Sequence, residues 1–452
     1  MSPETDGQMT PVSAPDNATA LPSPGFLEAV ALWLKVGLIS FGGPAGQISI
    51  LHEELVDRRR WVDERAFLTA LNFCMLLPGP EAQQLATYLG LKLHGLRGAL
   101  AAGLLFVLPG AVVLFALAWL AAAQGSWPPL QAAFRGMLPI VVALVVHAVW
   151  RIGARTLKTP AAWILAIAAF AGLSLLGIGF VWVIGGALVI GLAADRLGVT
   201  IAPHSLALAG QPAGAAGSTG PGFVRRFVFL TSVFALLWAA PVGLVLGLAG
   251  TRPFADVAIF FTQAAFVTFG GAYAVLPFVA QGAVAHYAWL SRAEMIHGLA
   301  LAETTPGPLI LVTQYVGFFA GWNAALAGHA GGLSPLGAGA LAAALTTWVT
   351  FLPCFYFVLA GAPVVDRLAR DRRAHAALSG VTAAVVGVIA TLAVTIGHEA
   401  FLPGGRIDLV SIIVSIAVFV AAWRFKVAPL WLVFAGALYG IGRYSLFPTL
   451  RL

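Results

Sequence analysis

Long apolar stretches separated by short polar or basic gaps make up most of the chain, and the polar/apolar alternation of a half-buried strand is absent. Continuous runs at 97–123, 135–150, 160–175, 177–194, 226–248, 335–361, 379–397, 408–422 and 428–446 predict helices that cross a membrane, for which roughly 20 residues suffice. Four other apolar stretches are interrupted. Residues 26–50 and 254–281 break at Phe41-Gly42-Gly43-Pro44 and Phe269-Gly270-Gly271. Residues 66–92 and 295–320 break at Pro78-Gly79-Pro80 and Pro306-Gly307-Pro308. Two full crossings need roughly 40 residues, so each interrupted stretch predicts a re-entrant helix pair that returns to its own side.

The pattern repeats. At a constant offset of 228 residues Phe26 meets Phe254, the first Phe-Gly-Gly meets the second, Trp61 meets Trp289, and the two Pro-Gly-Pro triplets coincide. Further on, Leu108-Pro109 matches Leu352-Pro353 and Gly136 matches Gly380, so the second copy carries an insertion around 323–338. Self-similarity of this length defines architecture. The predicted organisation is a disordered cytoplasmic tail at 1–25, a first membrane repeat at 26–200, a Gly/Pro/Ser-rich linker at 201–223 and a second repeat at 224–452.

Composition narrows the class. Of 452 residues, 60% are hydrophobic and 10% charged, with mean hydropathy +0.92, which excludes a soluble multi-domain enzyme and a disordered chain. Cys74 and Cys354 both lie in apolar segments and predict neither a disulfide framework nor a metal cluster. The net charge of +7 comes mostly from short Arg clusters, which report topology. Loop 52–65 holds Arg58, Arg59, Arg60 and Arg65, whereas its counterpart 280–293 holds only Arg292. Loop 362–375 holds Arg367, Arg370, Arg372 and Arg373, whereas its counterpart 122–135 holds only Arg135. Placing the basic member of each pair in the cytoplasm puts the same loop inside in one copy and outside in the other, an inverted-topology repeat. Arg151, Arg155 and Lys158 then fall inside as topology signals, and Arg443 and Arg451 fall outside, against the rule.

The breaks carry the candidate chemistry. Interrupted backbone at membrane depth is tolerated only where it is buried in protein or lines a polar cavity. Pro44, Pro80 and Pro308 each sit where a new helix would begin, leaving amides such as those of Ala45, Gly46 and Gln47 directed at the break. Such a terminus carries about half a positive charge and suits an anion. Copy two has Ala272 in place of Pro44. The candidate substrate-binding residues are Lys35, Ser40, Gly42, Gly43, Pro44, Gly46, Gln47, Asn72, Pro78, Gly79, Pro80, Gln83, Gln84, Thr268, Gly270, Gly271, Thr305, Pro306, Gly307, Pro308 and Gln314. Lys35, whose mate is the polar Gln263, reads equally as a substrate contact or a snorkelling lysine. The amides of Gln47, Asn72, Gln83, Gln84 and Gln314 read either as oxygen donors to substrate or as partners of freed backbone. Glu81 and Glu303, carboxylates in apolar surroundings, are candidates for ion coupling. Asp63 and the Ser291–Glu294 pair read as helix caps.

No GxxxxGK[ST] phosphate loop, GxSxG elbow or dinucleotide fingerprint occurs, so the chain reads as neither an ATP-driven pump nor an enzyme, with no cofactor, metal or nucleic acid. On its paired FGG and PGP motifs, Trp61 and Trp289, and Thr304-Thr305-Pro306-Gly307-Pro308 followed by Gln314-Tyr315, the chain from 26 to 446 resembles the chromate ion transporter family in its long, two-domain bacterial form. The resemblance implies a multi-pass protein of the bacterial inner membrane that exports chromate and confers resistance. Sulfate or another tetrahedral oxyanion is the alternative substrate. A membrane-bound reductase, which would need a flavin, haem or metal, is the competing class. A homodimer is among the open oligomeric states.

Overall fold

The computed structural model describes residues 24–201, 221–250, 252–365 and 371–446. Most of the expected tail and linker, and Arg367, Arg370 and Arg451, lie outside these residues. Among the described residues the chain is helical throughout, with no strand. The first half forms α1 (Phe26–Ile39), α2 (Gly43–His52), α3 (Glu64–Leu76), α4 (Glu81–Ala123), α5 (Pro128–Thr156), α6 (Pro160–Ser174) and α7 (Phe180–Arg196). Helix α8 (Pro221–Ala249) joins it to α9 (Phe254–Val267), α10 (Ala272–Ala280), α11 (Arg292–Thr304), α12 (Val312–Leu326), α13 (Pro335–Gly361), α14 (Arg372–Phe401), α15 (Leu409–Arg424) and α16 (Pro429–Leu446).

Element boundaries repeat with the residues. Helices α1 and α9 begin and end 228 positions apart, as do α3 and α11, and both α2 and α10 end in a wider π-helical turn, Glu53–Arg58 and Gln281–His286. Helix α4 comprises the limb that follows Pro-Gly-Pro and the next crossing, and it breaks between them at His94 and Gly95 (φ of −137° and +61°), within the loop predicted near 93–96. The chain turns back there, so that a Cβ at Gly90 would lie 2.3 Å from the Gly98 carbonyl oxygen. Its copy-two equivalent is two helices, α12 and α13, separated at the predicted insertion by residues 327–334. Among the described residues, six helices are long and apolar enough to cross a membrane: Glu81–Ala123, Pro128–Thr156, Gly222–Ala249, Leu309–Leu326, Pro335–Val364 and Arg372–Phe401. Leu309–Leu326 is thus longer than the limb of a re-entrant pair predicted there. Conversely α6, with 15 residues, is about 22 Å long, less than the full crossing predicted for 160–175.

The sequence halves are not separate bodies, because their helices exchange places. Helices α6 and α7 pack on α14 of the second half, while α15 and α16 pack on α5 of the first. Small residues make each crossing close: a Cβ at Gly136 would lie 2.2 Å from the Gly436 carbonyl oxygen, and one at Gly380 2.3 Å from that of Ala187. Ion pairs mark which ends lie together. Arg372 Nε meets Asp195 Oδ1 at 2.7 Å, Arg292 meets Glu399 at 3.2 Å, and Arg443, the residue at odds with the charge rule, has Asp408 at 3.7 Å. One apolar core runs through both halves, and a second joins Trp61, Phe67 and Phe73 of the first hairpins to Val358 and Val365 at the end of α13.

Candidate functional site

Each of the four helix breaks needs glycine. Gly42 and Gly43 have φ of +88° and +72°, Gly270 and Gly271 +76° and +93°, Gly79 +125° and Gly307 +89°, a backbone region in which a Cβ is strained. These turns free backbone groups that the bilayer cannot satisfy, and the two copies satisfy each other. The Gly79 amide donates to the Thr268 carbonyl at 2.7 Å, and the Gly307 amide donates to the Ser40 carbonyl at 2.9 Å. Gly79 and Gly307 are repeat mates, as are Ser40 and Thr268. Each Pro-Gly-Pro break is therefore stitched to the Phe-Gly-Gly break of the other copy.

Gln47 reinforces one of these junctions, its Nε2 donating to the Gly307 carbonyl at 2.6 Å and approaching the Ser40 carbonyl at 3.4 Å. Gln84 Nε2 donates to the Pro78 carbonyl at 2.7 Å, and Gln314 Nε2 to the Ala111 carbonyl at 2.9 Å. Gln83 donates to Thr87 Oγ1 at 3.1 Å. The amide oxygens of Gln83, Gln84 and Gln314 are buried without a partner. Behind the breaks the long helices come close. A Cβ at Gly110 of α4 would lie 2.0 Å from the Pro306 carbonyl oxygen, and Cys354 of α13 lies 2.9 Å from the Cβ position of Gly79. Gly110 and Cys354 directly follow the matched Leu-Pro pairs by one residue, a signal too faint to single them out from sequence.

Several expected donors take other roles. Ser40 Oγ donates back to the Val36 carbonyl at 2.6 Å, Thr268 Oγ1 to Ala264 at 2.5 Å and Thr305 Oγ1 to Ala302 at 3.0 Å. These hydroxyls satisfy carbonyls freed at the ends of their own helices, so their protons are not directed at a substrate. Lys35 is exposed and paired with buried Glu54 at 2.7 Å, within a cluster that includes Arg58 and Arg59, rather than standing at the break. Asn72 is half-buried on α3 and takes no part in the hydrogen bonds of the breaks. The helices that leave the breaks start without a side-chain cap at Gly42, Pro80, Gly271 and Pro308. By contrast Asp63 caps α3 through the Ala66 amide, and Ser291 and Glu294 form a capping box on α11, as their sequence predicts.

Two carboxylates border the centre. Glu303 is buried and accepts a 2.5 Å hydrogen bond from the Tyr273 hydroxyl on α10. Glu81, the first residue of α4, places Oε1 4.0 Å from the Cβ position of Gly271. Arg151 near the end of α5 places Nη2 3.8 Å from the Cβ position of Gly43. Sequence reasoning missed Arg151 as a site residue, because nothing in the local pattern separates it from Arg155 and Lys158. No group of His, Cys, Asp and Glu among the described residues is arranged to hold a metal.

The broken helices, cross-copy junctions and apolar crossings together define an all-α, multi-pass membrane protein. The chain belongs to the chromate transporter family, whose model matches residues 27–192 and 255–441, two stretches that begin 228 positions apart. It is 33% identical to the chromate transport protein of Pseudomonas aeruginosa over 97% of this chain and 98% of that one. It is also 26% identical to a probable chromate transport protein of Synechococcus elongatus, covering 89% and 91% of the two chains. A chromate transport protein of Cupriavidus metallidurans is 25% identical, with 93% of each chain covered. No solved structure matches.

Proposed function

We propose that this protein is a secondary transporter that exports chromate from the cytoplasm across the bacterial inner membrane and so confers resistance to it. The observation that carries the reading is the pairing of the Phe-Gly-Gly break of each copy with the Pro-Gly-Pro break of the other. Each of these junctions brings together two uncapped helix N-termini, where amides and helix dipoles favour an anion without a cluster of buried arginines. Broken helices at a repeat interface are the usual seat of a substrate in secondary transporters. The basic loops support a cytoplasmic face at 52–65 and 362–375 and an inverted second copy. Family membership and the relatives named for chromate transport supply the substrate.

Export needs no nucleotide. A dianion leaving a negative interior gains about 4.6 kcal/mol per 100 mV, twice the value for one charge. Glu81 and Glu303 are the side chains placed to couple a second ion to that movement. Labelled chromate uptake into inside-out vesicles tests the reading. Uptake that follows an interior-positive potential and survives excess sulfate is expected. Uptake abolished by modest sulfate would reassign the substrate to another tetrahedral oxyanion, and no uptake of either anion would overturn the transport reading itself.

A further inference from the structure

The two Phe-Gly-Gly turns are related by the repeat, yet one faces a guanidinium and the other a carboxyl group. Facing the first is Arg151, half-buried and without a hydrogen bond or ion pair among the described residues. The other arginines and lysines that lack such a partner, among them Arg60, Arg65, Arg97, Arg155 and Lys158, are exposed at helix ends, where water serves them. Facing the second turn is a carboxylate, Glu81, 4.0 Å from the Cβ position of Gly271. The residue that corresponds to Arg151 in copy two is Thr395, which bears no charge.

The first turn also has room. A Cβ on Gly42 would meet nothing within 4 Å, and one on Gly43 would meet only the Arg151 guanidinium, at 3.8 Å. A guanidinium offers five fixed donors and a permanent charge. Here it stands against the positive, uncapped end of α2 with no protein anion within reach of an ion pair. Like potentials that face each other across a partly desolvated gap are unfavourable unless an anion lies between them. The Arg151 charge also lies within electrostatic range of the Tyr273–Glu303 pair of copy two.

We infer that the repeat has diverged into one anion turn and one carboxylate turn, with Arg151 as the specificity-determining cation that holds a single tetrahedral oxyanion at Gly42–Gly43. The inference rests on the transport reading above and deepens it: pseudo-symmetry offers two equivalent turns, and only the first has a cation beside it.

Equilibrium dialysis of labelled chromate against the purified full chain in lipid nanodiscs, together with vesicle uptake, tests it. The wild-type chain is expected to bind one chromate. Arg151→Gln is expected to raise both Kd and KM at least tenfold with a smaller change in maximal rate, and Arg151→Lys to recover part of the affinity. Arg155→Gln, which removes an exposed charge one turn away, is expected to bind as the wild type does. Variants are compared at equal membrane abundance and equal monodispersity, so that misfolding is read separately. Wild-type affinity in Arg151→Gln, or two chromates bound per wild-type chain, would overturn the assignment while leaving the transporter reading intact. A wild-type chain that neither binds nor moves chromate or sulfate would instead remove the reading on which it rests.

Discussion

At the scale of single residues, the glycines of the breaks are unequal. Gly79 has φ of +125°, and a Cβ there would lie 2.8 Å from Gln84 Nε2 and 2.9 Å from Cys354 Sγ, so a branched side chain is both strained and overpacked. Gly43 has its conformation at stake, a cost of roughly 1–2 kcal/mol for a residue with a Cβ, and a methyl there would enter the open space beside Arg151 without a clash. Gly79→Val is therefore expected to lose chromate uptake almost entirely at normal membrane abundance, while Gly43→Ala keeps a measurable fraction. Equal rates in the two variants in the vesicle assay would contradict this ranking. The glycines and prolines of the breaks were legible in the sequence because backbone that must turn inside a membrane leaves few alternatives. Arg151 was not, since a basic residue near a helix end signals topology far more often than binding, and only the folded path of α5 brings it to Gly43. The bonds of the Ser40 and Thr268 hydroxyls were illegible for a related reason: a sequence shows a donor but not the freed carbonyl one turn back to which it donates.

At the scale of elements, the hairpin tips are held by side chains outside the apolar region. His52 at the end of α2 contacts Asp57 at 3.2 Å and Glu64 at 2.5 Å, tying the tip to the first turn of α3, and lies edge-on to Phe67. The Glu64 hydrogen bond, with help from the charges of Glu64 and Asp57 and against partial burial, raises the histidine above its ordinary 6.5. A raised value means that the fold favours the protonated ring. The contribution is complete below pH 6.5 and fades as pH climbs through the raised value. Hydrogen exchange at residues 52–66 is expected to be slower at pH 6 than at pH 9 beyond the intrinsic rate change, and His52→Gln is expected to erase the difference. A tip equally protected at both pH values in the wild type would refute the link. The caps on α3 and α11 were legible as short polar patterns. The break within α4 was legible too: His94-Gly95 reads as a loop, and the chain turns back on itself at that point.

At the scale of the whole molecule, duplication was plain in the sequence, since residues and element boundaries share one offset. The exchange of α6–α7 and α15–α16 between halves was invisible, because a repeat in sequence says nothing about which copy a helix packs against; glycine-lined crossings at Gly136 and Gly380 decide it. That exchange has a genetic consequence. Each half is built to be completed by the other, at the stitched breaks and again at the exchanged helix pairs, so a chain cut in two within residues 203–222 is expected to yield fragments that are inactive singly. Produced together, they should complement each other and restore chromate resistance to a sensitive host. Resistance from either fragment alone would show that one copy is self-sufficient. Evolution of this fold is thereby constrained: once the halves complete one another, neither can be lost or replaced separately, and the two must drift as one inheritance.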